Sequence, residues 1–514
     1  MNVNTRTGRA IRNTVVTTGC QILYLIASFV CRTIFTQMLG KEYLGVSGLF
    51  TNILTLLSFA ELGMGSALVY RLYAPLASGD REKIKLYMQL YRRIYTGVIG
   101  VITLVGISLI PFLEYLVEAP NVKEDLTLLY CLYLANTVVS YVFVYKKSLL
   151  IADQKDYVVS LFTQAFNLLM NIVQIILLIS THNFVLYCIT GIVCGLLNNI
   201  VCSCYVNRSY KYLHEPVSGS LSREDTGALV KDVKGLLFTQ IAGITFNGTD
   251  NIFISKFIGI GYVGILSNYT LLLTTVNALM NKVFGSITAI IGNLDVSSDR
   301  KQTEKVLERM FFLNTAIYGY ICVGMTLLIK EFVTEIWIST EYTLPSLVIT
   351  LAIIELFFRS IHYPLHITRD AMGYFSQYNW IYLIAAIMNI ILDFSWVRPF
   401  GMSGLYAATI LCRWMTYLTD IYVVYHMGFK KSTGKYLLLI IKWVIFLIIS
   451  AGISYQMINL ILLRGILGFA LRILMITIVY GGLFLLVYGR SEEWKYYLQL
   501  GKRLVNKEEG QKSV

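Results

Sequence analysis

About fourteen apolar runs divide this chain, and each is long enough to cross a bilayer. They fall near residues 11–37, 43–70, 92–113, 126–145, 158–180 and 184–206, then 235–258, 262–292, 310–330, 345–367, 378–396 and 403–425, and finally 437–459 and 466–489. Roughly 20 apolar residues in a helix match the hydrocarbon thickness of a membrane. The expected fold is therefore all-α and polytopic, with spans grouped as six, six and two. With 56% hydrophobic and only 14% charged residues over 514 positions, a soluble core would have nowhere to place this surface.

Lysine and arginine set the orientation. With the N-terminus in the cytoplasm, the loops on that side hold 31 of the 43 basic residues, while the opposite loops hold five: Lys41, Lys123, Lys330, Arg398 and Arg464. Both termini are expected in the cytoplasm. The net charge of +13 is thus explained by topology, and no nucleic-acid partner is expected. Loops on the far side are short, about 3–15 residues, which leaves no room for an external domain. The expected divisions are a six-helix bundle over 1–206, a cytoplasmic linker over 207–234, a second six-helix bundle over 235–426, two further transmembrane helices over 427–490 and a basic cytoplasmic tail over 491–514. The polar, basic start runs straight into an apolar segment without a small-residue cleavage site, so no removed signal peptide is expected.

The two halves echo each other. Gly40, Tyr43 and Gly45 are matched by Gly259, Tyr262 and Gly264 at an offset of 219 residues, and Thr51, Thr55, Asp80 and Arg81 find Thr270, Thr274, Asp299 and Arg300 at the same offset. Loop residues holding register over such a length point to an internal repeat, an arrangement that places a substrate between repeats in many transporters.

Polar side chains inside the spans are the candidates for function, because a charge facing lipid is costly. In the tenth span Glu355, Arg359, His362 and His366 share one helical face, with Glu355 and Arg359 placed to pair at i,i+4. Arg32, Arg359, Arg413 and Lys282 would make an interior cationic, and guanidinium forks suit phosphate oxygens. Glu61, Asp250 and Glu355 would moderate that charge or bind a coupling proton or sodium ion. Gln21, Thr51, Thr55, Asn247, Asn251 and His362 are the expected polar lining, although hydroxyls in a span also serve as interhelical glue.

Soluble-enzyme signatures are absent. Gly63-Met64-Gly65 is too short for a dinucleotide loop, and no Walker sequence occurs, so neither a catalytic residue nor a cofactor is expected. The nine cysteines fall mostly in apolar runs, and Cys194, Cys202 and Cys204 lack the pairing or histidine of a metal site. Sequons at Asn207, Asn247 and Asn268 lie in the cytoplasmic linker or in or beside spans, where glycosylation is not expected.

With these residues in view, the chain resembles the polysaccharide-biosynthesis flippases of the multidrug/oligosaccharidyl-lipid/polysaccharide exporter superfamily. The marks are LGKEYLGVSGLFTNILTLLSFAELGMGSALVYRLYAPL and GTDNIFISKFIGIGYVGILSNY, within a likeness that runs the whole length. The resemblance implies two bundles forming a V around a central lumen that opens alternately to each side. It also implies a carrier of undecaprenyl-diphosphate-linked oligosaccharides in a bacterial cytoplasmic membrane, serving O-antigen, capsule or exopolysaccharide assembly. Its partners would be membrane lipid, a coupling ion, and a polysaccharide polymerase with glycosyltransferases. A peptidoglycan lipid-precursor flippase shares nearly the same chemistry. A drug or cation antiporter would want an acidic, aromatic cavity, which the excess of intramembrane Arg and Lys opposes. A multi-span sugar polymerase would need a large external loop, and none is available.

Overall fold

A backbone crossing hydrocarbon finds no water to satisfy its polar groups, so apolar runs of this length close their hydrogen bonds internally as helix. The computed structural model describes residues 6–57, 61, 64–117, 122–216, 219, 221–227, 229, 248–292, 300–372, 374, 378–500 and 502, the side chains of 6–18, 281–292 and a few isolated positions excepted. These residues form helices, turns and bends, with no strand among them. Ten described helices are long and apolar enough to cross a membrane. One of them, Trp380–Gly428, carries two of the expected spans. Large apolar side chains lie bare on their surfaces, such as Leu104, Ile448 and Leu486, as lipid-facing residues should.

The chain separates into two compact units, Met1–Ser267 and Asn268–Val514. The first contains α1 (Arg6–Leu39), α2 (Lys41–Leu57), α3 (Met64–Ser78), α4 (Arg81–Ser108), the single turn α5 (Leu113–Leu116), α6 (Leu126–Tyr141), α7 (Val144–Ala152), α8 (Asp156–Thr181), α9 (Phe184–Ser209), α10 (Asp250–Phe257) and the first residues of α11 (Ile260–Gly292). Helix α8 packs along both α1 and α9, and α6 packs on α9. An aromatic cluster of Phe35, Tyr43, Phe184 and Tyr187 joins α1, α2 and α9, mostly in edge-to-face contacts. The second unit contains the rest of α11, then α12 (Arg300–Glu331), α13 (Ser346–Ala371), α14 (Asn379–Ile421), α15 (Gly434–Ile458) and α16 (Gly465–Tyr488). Here α13 packs between α12 and α14, and the stacked rings of Trp443 and Tyr488, 4.2 Å apart, fix α15 to the end of α16.

Two expected spans differ in detail, and two others meet at a tight turn. The run 43–70 is described as α2 to Leu57, α3 from Met64 and, between them, Glu61, which has 3-10 rather than α-helical geometry. Asp250, expected mid-helix, opens α10 directly after Thr249. A carboxylate there meets the positive end of the helix dipole. The spans 378–396 and 403–425 are the two arms of α14, which folds back on itself at Gly401, so that Tyr382 reaches Asp420 and Asn389 reaches Thr409; the φ of 58° and ψ of −141° at Gly401, two residues after Pro399, suit a residue without Cβ.

Candidate functional site

Helix α13 carries the densest polar surface. Its Glu355 is buried and forms ion pairs with two arginines: Arg413 of α14, with Nε 2.7 Å from Oε1, and Arg359 of its own helix at 3.8 Å. The i,i+4 pair read from the sequence is present, but the shorter contact comes from the neighbouring helix. Two guanidinium groups on one carboxylate leave positive charge in excess. Arg359 brings it to a cavity of about 350 Å³, lined by the polar residues Thr274, Asn277, Asn314, Tyr318, Ser360 and Tyr363 as well. The lining is pre-set by its own hydrogen bonds. Tyr318 donates to Asn277 Oδ1 at 3.0 Å, and Asn314 Nδ2 donates to the Ser360 carbonyl at 2.6 Å.

Further along α13 the chemistry changes. His362 Nε2 lies 2.7 Å and His366 Nδ1 3.3 Å from Asp420 Oδ2 of α14. The other carboxylate oxygen accepts from Arg369 at 2.7 Å and from Tyr382 at 2.8 Å. Asp420 is 0% exposed and Arg369 1%. Arg369, two residues past the expected tenth span of 345–367, is thus fully inside. Sequence reading misses Asp420, whose signal is an acid late in an apolar span. The ligand atoms of His362, His366 and Asp420 lie within 4.8 Å of one another, so these three have donors for a metal ion. The guanidinium of Arg369 already supplies the opposite charge that a buried carboxylate requires. The cluster is a complete ionic knot without a metal.

A third polar group joins Asn389, Asp393 and Thr409 within and across the two parts of α14. Asn389 Nδ2 lies 3.3 Å from both Asp393 Oδ1 and Thr409 Oγ1, and Asn389 and Asp393 have no exposed surface. Sequence reading passes over it, although an i,i+4 Asn/Asp pair inside a span carries the same cost argument as Glu355.

In the first unit the candidates are dispersed. Arg32 donates to the Ser267 hydroxyl, Gln164 donates to Gln21, and Tyr95 donates to Glu61 Oε1 at 2.9 Å. Thr51 and Thr55 are exposed, each hydroxyl donating to the carbonyl four residues earlier. Asn251, on α10, faces Gly48 of α2. Asn247 and the side chain of Lys282 lie outside the described residues. The structure therefore brings Glu355, Arg359 and Arg413 together, places His362 in a separate knot, and leaves Arg32, Glu61, Gln21 and Asp250 as individual polar contacts within the first unit.

A family model described as "Polysaccharide biosynthesis protein" matches residues 10–291, more than half of the chain. The chain belongs to that family. Its fold is that of the multidrug/oligosaccharidyl-lipid/polysaccharide (MOP) superfamily. It is similar to the lipid II flippase MurJ in an inward closed conformation, with TM-score 0.67 and 16% identity over 92% of this chain and 99% of that one. It is also similar to an inward-facing multidrug-resistance MATE-family transporter, with TM-score 0.56 and 14% identity over 78% and 92% of the two chains. A point mutant of the Vibrio cholerae MATE transporter VcmN follows with TM-score 0.53 and 13% identity over 80% and 96%. No curated protein matches the sequence. This member of the family is a multi-pass membrane protein, and its helical architecture is shared with solved carriers of quite different cargo.

Proposed function

We propose that this family member flips undecaprenyl-diphosphate-linked oligosaccharide repeat units across a bacterial cytoplasmic membrane. The units would serve O-antigen, capsule or exopolysaccharide assembly. The reading takes the chain as fourteen spans in two six-helix bundles (1–206 and 235–426) followed by two helices, working by alternating access coupled to an ion gradient. The observation that carries it is Arg359 on a cavity lined by polar residues inside membrane-spanning helices, backed by Glu355 and Arg413. A diphosphate and its sugars must cross about 30 Å of hydrocarbon. A fixed guanidinium flanked by hydroxyl and amide donors replaces the water that the headgroup leaves behind. Arg32 is assigned a second diphosphate contact, and Glu61 or Asp250 the coupling ion. Glu355 is read here as the residue that aims Arg359. A polysaccharide polymerase and glycosyltransferases are the expected neighbours.

The test is flipping in proteoliposomes with a fluorescent undecaprenyl-diphosphate oligosaccharide and an imposed ion gradient. Protein-dependent movement that disappears in Arg359→Ala supports the reading. Movement of a peptidoglycan lipid precursor alone would reassign the cargo. Efflux of an organic cation without lipid movement would place the protein among drug antiporters.

A further inference from the structure

Another cavity, of about 560 Å³, lies in the second unit between the end of α12, the start of α13 and the turn joining α15 to α16. Its cations are Lys330, Arg464 and Arg472, and its acid is Glu331. Arg472 is committed to the wall: it pairs with Glu331 and donates to the carbonyls of Ile461 and Leu463 at 3.2 and 3.3 Å. That clamp folds the α15–α16 turn over the cavity and cancels one positive charge. Lys330 and Arg464 carry the rest. Both are exposed, and among the described residues neither head group makes an ion pair. Tyr455 and Asn459 add polar groups to the same lining.

Their position makes the charge informative. Only five of the 43 basic residues belong to the loops opposite the basic face, and two of those five converge here. A chain that keeps Lys and Arg away from one side, yet gathers two of them around one hollow, has a use for an anion there. The hollow is also bordered by apolar residues with nothing over them: Leu460, Leu462 and Ile466 are 72%, 90% and 77% exposed. A small anion from water has no use for such a border, whereas a lipid does.

We propose that this cavity binds the phosphate of an anionic phospholipid headgroup on the face opposite the basic loops. The phosphate sits on Lys330 and Arg464, and the acyl chains lie along Leu460, Leu462 and Ile466. The proposal does not rest on the transport reading, since it concerns a resident lipid and a different set of side chains.

The experiment is native mass spectrometry of the delipidated full-length protein in detergent, titrated with phosphatidylglycerol and, separately, with phosphatidylcholine. The expected result is preferential retention of phosphatidylglycerol. In Lys330→Gln/Arg464→Gln it falls by about tenfold or more, with phosphatidylcholine unchanged. Arg464→Lys, which keeps the charge, retains most of the binding. An unchanged melting temperature of the double variant shows that the loss is not misfolding. Equal retention of both lipids, or undiminished phosphatidylglycerol binding by the double variant, would overturn the proposal. Displacement of phosphatidylglycerol by millimolar inorganic phosphate would overturn the lipid assignment in favour of a free-phosphate site.

Discussion

Gly264 lies against the backbone of Lys41, so close that a Cβ built on it would overlap the Lys41 carbonyl oxygen. Gly45 lies in the same way against Ile260, its Cβ position overlapping that residue's carbonyl. These are one contact made twice, because Lys41 and Ile260, like Gly45 and Gly264, stand 219 residues apart. The repeat seen in the sequence is thus the reciprocal crossing of α2 and α11, and no residue larger than glycine fits either position.

Gly264→Ala and Gly45→Ala should each destabilise the protein by about 1–3 kcal/mol, the usual cost of overpacking, and more where the backbone cannot yield. Melting in detergent followed by size-exclusion chromatography measures this. Gly100→Ala, at a helical position with nothing within 4 Å, serves as the control and should be neutral or slightly stabilising.

Asp420→Ala should be the most damaging substitution in the second unit. It leaves Arg369 buried without its counter-charge, and breaking a buried pair costs about 3–5 kcal/mol. Removing Arg369 as well should recover part of that loss, so the double variant melts above the sum of the singles. Strict additivity in that cycle would show that the two charges are not coupled.

Transport should separate Arg359 from the group that aims it. Arg359→Ala is expected to abolish flipping with membrane insertion intact. Glu355→Gln should lower the rate by about tenfold, a barrier change of about 1.4 kcal/mol, because it removes the charge that pairs with Arg359 and Arg413. A Glu355→Gln protein with full activity would remove Glu355 from the assembly.

The linker on the basic face should respond to acid. Asp225 accepts an ion pair from Lys83 at 2.9 Å, and that hydrogen bond, with a second from Ser222, holds its carboxyl below the usual range. A depressed carboxyl contributes stability above its unfolded pKa, about 4, and loses it as pH falls through the folded value. The pair is partly exposed and screened by water, so the contribution stays within about 1 kcal/mol. Limited proteolysis near Asp225 should quicken below about pH 4, and Asp225→Asn should show the quick rate at every pH.

Much of the fold was legible because hydropathy and loop charge are local signals. Among the described residues the apolar runs are helices, and Glu355 meets Arg359 one turn away as its spacing required. What escaped was set by partners distant in sequence. Arg413 reaches Glu355 across 58 positions, and Asp420 gathers His362, His366, Arg369 and Tyr382 from 38 to 58 positions away. A spacing argument sees one helix face, while a buried charge is balanced by whichever helix packs on it. The 3-10 geometry at Glu61 escaped for another reason: hydropathy carries no record of where a helix tightens within an apolar run.

The knot at Asp420 bears on how the protein moves. Separating α13 from α14 at that end would strand an aspartate or an arginine in a place without water. Thermal motion and modest gradients do not meet such a cost cheaply. The two helices therefore behave there as a single lever with a fixed fulcrum on the side of the basic loops. Any rocking of this pair has its smallest amplitude at Asp420 and its largest at the far end, where α14 turns back at Gly401.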